Sequence, residues 1–189
     1  MEEQFWHERW QSNATAFHEG RPNELLQRHL PALGLPQGAR ILVPLCGKSR
    51  DLHWLLAQGH QVAGVELSRL AVEQLFAELG TTPRIATDGA LARWEADGLV
   101  LHVGNLFALD PAALGTVDAI YDRAALVALP EPMRRDYAAH LAALAPATPQ
   151  LLISFEYDQA LLAGPPFAVT EAEIRSLRTM ANIRARRAA

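Results

Sequence analysis

An apolar run of strand length, Ile41-Leu42-Val43-Pro44-Leu45, breaks at Gly47, and the chain restarts at Asp51 with Leu52, Trp54, Leu55 and Leu56 in helical spacing. A second apolar run, residues 62–65, ends on a lone acid, Glu66, nineteen positions after that glycine, and Ser68 then stands ready to cap another helix. Strand, tight loop, helix, strand is a βαβ unit. An acid at the tip of its second strand, roughly 20 residues after the glycine loop, is placed to accept hydrogen bonds from a nucleoside ribose. Glu66 is therefore a candidate cofactor-binding residue.

The loop narrows the ligand. Holding a pyrophosphate takes several glycines, so that backbone N–H groups can approach it, whereas this loop has only Gly47. The G-x-G-x-x-G fingerprint is absent, and so is the phosphate loop G-x-x-x-x-G-K-[ST], because Gly47-Lys48-Ser49 has no glycine at position 42. A cofactor with a ribose and no phosphate fits better, and S-adenosylmethionine is the common one. A nicotinamide oxidoreductase or another α/β fold stays open on spacing alone, since a lone glycine loop is a weak signal.

A chain of 189 residues, 50% of them hydrophobic, can bury a sizeable core. We expect one domain over 1–189, with a helical cover (1–36), a cofactor-binding sheet (37–160) and a C-terminal helix with a basic tail (161–189). A net charge of −4 and a pI near 6.0 give no general attraction to nucleic acid or an anionic membrane. The expected partner is a small molecule, with no nucleic acid and no membrane, and the expected state is a monomer. The N-terminal residues lack the basic and apolar regions of a signal peptide, and no apolar run approaches the roughly 20 residues of a membrane span, so a cytoplasmic location is expected. The single cysteine, Cys46, excludes an internal disulfide, and the seven histidines show no zinc-site spacing, so no metal is expected.

Phe5, Trp6, Arg9 and Trp10 give residues 2–12 a helix with an aromatic face, and Asn23 caps a helix that runs to a stop at Pro31. Such an N-terminal extension often lies over the carboxyl edge of an α/β sheet, where ligands bind. The helix from Ser68 stops at Gly80, and a less regular segment follows. Residues 99–103 read as the third strand, with an antiparallel partner around 92–94 joined through Ala96-Asp97-Gly98. His102 reads as a strand histidine, and Gly104-Asn105 as a place where an adenine edge is met. Residues 117–121 form the fourth strand with Asp122-Arg123 at its tip, 131–145 a helix, and 151–155 the fifth strand. Strands alternating with helices predict an α/β fold, a doubly wound, mostly parallel sheet with helices on both faces. Thr170-x-x-Glu173 is a capping box for a last helix whose arginines read as a solvated face.

These segments resemble the thiopurine S-methyltransferase family in its bacterial form. The resemblance covers nearly all of residues 1–177 and rests on Phe5-Trp6 with Arg9-Trp10, Phe17-His18, Val43-Pro44-Leu45-Cys46-Gly47-Lys48-Ser49 and Gly64-Val65-Glu66-Leu67-Ser68. It continues in Tyr121-Asp122-Arg123-Ala124-Ala125-Leu126, Met133-Arg134 and Gly164-Pro165-Pro166-Phe167. It implies a Rossmann-like class I methyltransferase that moves the methyl group of S-adenosyl-L-methionine to the sulfur of thiopurines and other aromatic or heterocyclic thiols, and to selenium or tellurium compounds. The cofactor residues it implies are Trp10, Leu45, Glu66 and Arg123, with Phe17 on the acceptor side. Trp10 offers a flat cover, Leu45 an apolar wall and Arg123 a cation for the methionine carboxylate. A thiol sulfur attacking a sulfonium needs little acid–base help, so no catalytic residue is named; Asp122 is expected to orient Arg123.

Two positions depart from the pattern. Bacterial relatives usually carry an acid at Asn105, and they continue beyond Leu177 with strands that complete the sheet, where this chain has a basic tail. The expectation is that the C-terminal strands are missing, and the alternative function is a truncated, non-catalytic relative that binds S-adenosylmethionine without turnover.

Overall fold

A computed structural model describes residues 3–12 and 19–180. Its centre is one seven-stranded sheet in the order β3-β4-β5-β2-β1-β6-β7. The strands are β1 (Arg40–Pro44), β2 (Gln61–Glu66), β3 (Arg84–Asp88), β4 (Leu91–Ala96), β5 (Leu99–Val103), β6 (Ala119–Arg123) and β7 (Gln150–Ile153). β5, β2, β1, β6 and β7 pair in parallel, while β3 and β4 form an antiparallel hairpin on β5. The doubly wound, mostly parallel sheet expected from the alternating pattern is thus the one observed.

The helices are α1 (Glu3–Gln11), α2 (Glu24–His29), α3 (Arg50–Ala57), α4 (Arg69–Leu79), α5 (Pro111–Leu114), α6 (Glu131–Leu144) and α7 (Glu171–Met180). Their caps follow the sequence. Asn23, Ser49 and Ser68 accept N–H groups from the first turns of α2, α3 and α4, and Gly80 ends α4 at φ 68°, a left-handed angle that costs glycine little. Thr170 Oγ1 accepts the Glu173 N–H.

The strands alternate their side chains between two cores. One joins Ile41, Val43, Val62 and Tyr121 to Leu26 of α2, Leu52 and Leu55 of α3, and Val72, Leu75 and Phe76 of α4. The other joins Leu42, Ala63, Val65 and Ile120 to Leu114 of α5, Tyr137, Leu141 and Leu144 of α6, and Leu177 of α7. Helices therefore cover both faces, and β1 is buried from Ile41 to Pro44. At the centre of β2 only glycine fits: a Cβ on Gly64 would stand 2.4 Å from Leu101 Cδ2 and 2.8 Å from Cys46 Sγ.

Some expected boundaries move. The irregular segment after Gly80 contains a full strand, β3, whose outer side chains are exposed, with Ile85 54% accessible. α2 ends at His29, and a 3-10 turn, Leu30–Leu33, carries the chain through Pro31. β6 starts and ends two residues later than expected, so Asp122 and Arg123 belong to the strand itself. β7 is the outermost strand on its side among the described residues, and all four of its residues are only partly buried.

Candidate active site

β1 stands at the point where the strand order reverses: its neighbours are β2, which follows it, and β6, which comes after the chain has built the other half of the sheet. Chain ends diverging on either side of such a strand leave a crevice at its carboxyl end. Here that crevice is a cavity of about 470 Å³. Trp10, Leu45, Glu66 and Arg123 all line it. Phe17, the remaining candidate, and its neighbour His18 lie outside the described residues.

Glu66 ends β2 and is 6% exposed. Its Oε2 accepts the Gly47 N–H at 2.8 Å and its Oε1 the Ser68 N–H at 2.7 Å, so the acid ties the loop after β1 to the start of α4. Burial raises its pKa, and those backbone N–H groups pull it back. The cavity side of the Gly47 loop is covered by α1: a Cβ at Gly47 would lie 3.1 Å from the buried Trp10 ring. Leu45 and Ala124, the residues at the ends of β1 and β6, both take left-handed angles, φ 47° and 58°. For residues with a Cβ such angles cost of order 1 kcal/mol each, which the packed sheet on both sides sustains.

Arg123 lies between two acids. Its Nη1 is 3.2 Å from Asp51 Oδ2 and its Nη2 2.6 Å from Glu19 Oε1. Asp51, 1% exposed, also accepts the Tyr121 hydroxyl at 2.8 Å and the Asn23 N–H at 2.7 Å. The expected partnership with Asp122 does not form. Successive strand residues face opposite sides of a sheet, so Tyr121 and Arg123 share one side and Asp122 takes the other. There it accepts the Tyr137 hydroxyl at 2.7 Å, the Leu126 N–H at 3.1 Å and the Gln150 amide at 3.3 Å. Burial pushes its carboxyl up to about 6.

Asn105 is also committed. Its Oδ1 accepts the Phe107 N–H and its Nδ2 donates to Glu3 Oε1 at 2.8 Å, which fastens α1 to the loop after β5. Cys46 is buried at the cavity floor, where burial first and Glu66 second push its thiol well above the usual range, so it stays protonated. The far wall is apolar and comes from late in the chain: Leu129, Met133, Phe155, Pro165 and Pro166. Arg134 braces that wall, donating to the Leu129 carbonyl at 2.8 Å and to Glu173 at 2.6 Å while its guanidinium stacks 5.5 Å from the Phe167 ring.

The model of the thiopurine S-methyltransferase family matches residues 1–188. A thiopurine S-methyltransferase of Xanthobacter autotrophicus is 58% identical over 178 residues, 94% of this chain and 84% of that protein; one from Gluconobacter oxydans is 52% identical over 90% of this chain and 78% of its own. This chain belongs to the thiopurine S-methyltransferase family. The match runs past Leu177, where the resemblance in the sequence stops. Among solved structures, the Burkholderia thailandensis 1,6-didemethyltoxoflavin-N1-methyltransferase, with bound S-adenosylhomocysteine, aligns at TM-score 0.66 and 19% identity over 95% of this chain and 75% of its own. Magnesium protoporphyrin IX methyltransferase from Synechocystis aligns at 0.64 and 16%, over 94% and 88%. The fold is the Rossmann-like methyltransferase fold.

As a family member, the chain is an S-adenosylmethionine-dependent methyltransferase. Sequence reasoning missed Asp51, Glu19 and the Met133 and Phe155 wall of its cavity. Asp51 carries a signal, an acid in the first turn of the helix after the glycine loop, but helix starts favour acids for their dipole alone. Among the described residues no helix is long and apolar enough to cross a membrane, and no cluster of three His, Cys, Asp or Glu side chains is arranged to hold a metal.

Proposed function

We propose that this chain transfers the methyl group of S-adenosyl-L-methionine to the sulfur of thiopurines and other aromatic or heterocyclic thiols, with selenium and tellurium compounds as further acceptors. The observation that carries the reading is Glu66: a buried carboxylate, held by one N–H on each oxygen, that lines a 470 Å³ cavity beside a guanidinium. A carboxylate has about four acceptor positions, more than these backbone groups fill, so capacity remains for ribose hydroxyls. The cavity also has the volume of a small-molecule site, roughly 300–1,000 Å³.

In this reading Glu66 holds the ribose, Arg123 the methionine carboxylate, and Trp10 and Leu45 cover the nucleoside. The Asn105 side chain is occupied by Glu3 and Phe107, which leaves backbone at residues 104–106 to meet the adenine. Phe17 joins the acceptor side together with Met133, Phe155 and the prolines. The bound cofactor supplies an electrophilic methyl group. The chain's own contribution is positioning: apolar walls exclude water and align a soft sulfur nucleophile that needs no strong base. Neither Cys46 nor Asp122 takes that role, since Cys46 is protonated and Asp122 does not line the cavity. We further propose a cytoplasmic monomer acting on small molecules, with no metal, no nucleic acid and no membrane. A non-catalytic relative is the less favoured reading, because Glu66 and Arg123 are both in place at one cavity and the relatives at 48–58% identity are named as methyltransferases.

Calorimetry with S-adenosylhomocysteine followed by methyl transfer to an aryl thiol, a thiopurine and selenite tests the reading. Binding with turnover on at least one acceptor is expected. Absence of binding overturns the cofactor assignment, and binding without turnover restores the non-catalytic alternative.

A further inference from the structure

Arg123 carries two carboxylates, and they are not equivalent. Asp51 is anchored by two other donors, the Tyr121 hydroxyl on the same oxygen that meets Arg123 and the Asn23 N–H on the other, and its side chain is 2% exposed. Glu19 is 48% exposed on its side chain, and no second hydrogen-bond partner for it stands among the described residues. Separating Arg123 from Asp51 would strand a buried charge; separating it from Glu19 returns that acid to water. A ligand carboxylate arriving at Arg123 would make a third anion on one guanidinium, and repulsion then expels the acid that is cheapest to release.

We propose that Asp51 is a positioning residue that fixes Arg123 through Nη1, and that Glu19 is an exchangeable counter-ion on Nη2 which the ligand's carboxylate displaces. This rests on the reading of Arg123 as the carboxylate site. Asp51 reaches both parts: through Tyr121 and Arg123, two apart on β6, it sets the guanidinium plane, and through the Asn23 N–H it anchors the segment that carries Glu19. Held this way, Arg123 presents one edge of its fork to the cavity in a fixed plane, while Glu19 keeps Nη2 paired before the ligand arrives.

The test is titration of the full chain with S-adenosylhomocysteine and with its decarboxylated analogue, S-adenosyl-3-thiopropylamine, which keeps the nucleoside, sulfur and ammonium and lacks the carboxylate. Asp51→Asn is expected to weaken S-adenosylhomocysteine about tenfold and the analogue less than about twofold, because the lost interaction acts only through the carboxylate. Glu19→Gln is expected to tighten S-adenosylhomocysteine about two- to fivefold, having removed its competitor, and to leave the analogue unchanged. Equal weakening of both ligands by Asp51→Asn makes Asp51 a scaffold residue and overturns the proposal, as does no weakening at all. Unchanged or weaker S-adenosylhomocysteine binding in Glu19→Gln overturns the exchange. If Asp51→Asn does not fold, Tyr121→Phe, which frees the oxygen shared with Arg123, is expected to lower the ratio of the two affinities about threefold, and an unchanged ratio overturns the proposal. Arg123→Met separates the two readings. A ratio unchanged in Arg123→Met sinks the Arg123 assignment itself, and a ratio that collapses there but survives Asp51→Asn sinks only the positioning role.

Discussion

Glu66 and Asp122 are both carboxylates buried near strand ends of one sheet, and burial raises the pKa of each. Their surroundings differ. Glu66 is the last residue of β2, its bonds go to loop backbone, and it lines the large cavity. Asp122 stands one residue inside the end of β6, its oxygens are taken by Tyr137, Gln150 and Leu126, and it borders a void of about 20 Å³ under α6 and α7. Burial and a raised pKa therefore do not by themselves mark a binding acid. The difference lies in whether lone pairs remain open to a cavity, and one residue of strand register decides that.

The largest expected effect tests that difference directly. Glu66→Ala should lose about 2–3 kcal/mol of S-adenosylhomocysteine affinity, roughly 30- to 150-fold, whereas Asp122→Asn should stay within about threefold of the parent. Calorimetry on both variants checks this, and a larger loss in Asp122→Asn would reverse the two roles.

Stability against pH tests Asp122 by a second route. The Asp122 carboxyl goes from an ordinary 3.8 to about 6 in the folded chain, so folding favours its neutral form. That contribution is present in full below pH 3.8 and is lost as pH rises through 6. By linkage it amounts to about 2–3 kcal/mol. Denaturation at pH 5 and pH 7.5 should therefore show the parent gaining stability at the lower pH relative to Asp122→Asn. Parallel pH curves for the two proteins would mean that Asp122 is not the group responsible.

Arg123→Lys comes next, at about tenfold weaker cofactor binding, because a point charge replaces a fork that grips Asp51 and a carboxylate together. Wild-type affinity in that variant would show that charge alone suffices. The smallest effect belongs to Asn105→Ala, which unlatches Glu3 of α1 and one cap; about 0.5–1 kcal/mol of stability should go, read as a lower melting temperature. A larger loss of cofactor affinity than of stability would make Asn105 a ligand contact.

Most of the parallel sheet was legible because its strands are apolar runs interrupted by capped helices. β3 was not: as the outer strand of a hairpin it has exposed side chains from Arg84 to Thr87 and no hydrophobic run, and its local sign is the Gly89-Ala90 turn, with Gly89 at φ 61°. The position of Glu66 could be read from its distance to Gly47, since both belong to one contiguous βαβ unit. The Met133 and Phe155 wall could not, because apolar residues of α6 and of the chain after β7 look the same in sequence whether they face a core or a cavity.

The partner of Arg123 shows the division most clearly. The chain itself determined that an arginine and an acid lie at the end of β6, that a loop with one glycine precedes a helix, and that an acid closes β2; these follow from local periodicity and capping, which act over a few residues. Only the tertiary structure decided that Asp51, 72 positions away, rather than the adjacent Asp122, holds the guanidinium. The reason is geometric. Pairing β6 beside β1 brings the start of α3 over the tip of β6, and the two-residue alternation of the strand turns Arg123 toward that helix and Asp122 away from it.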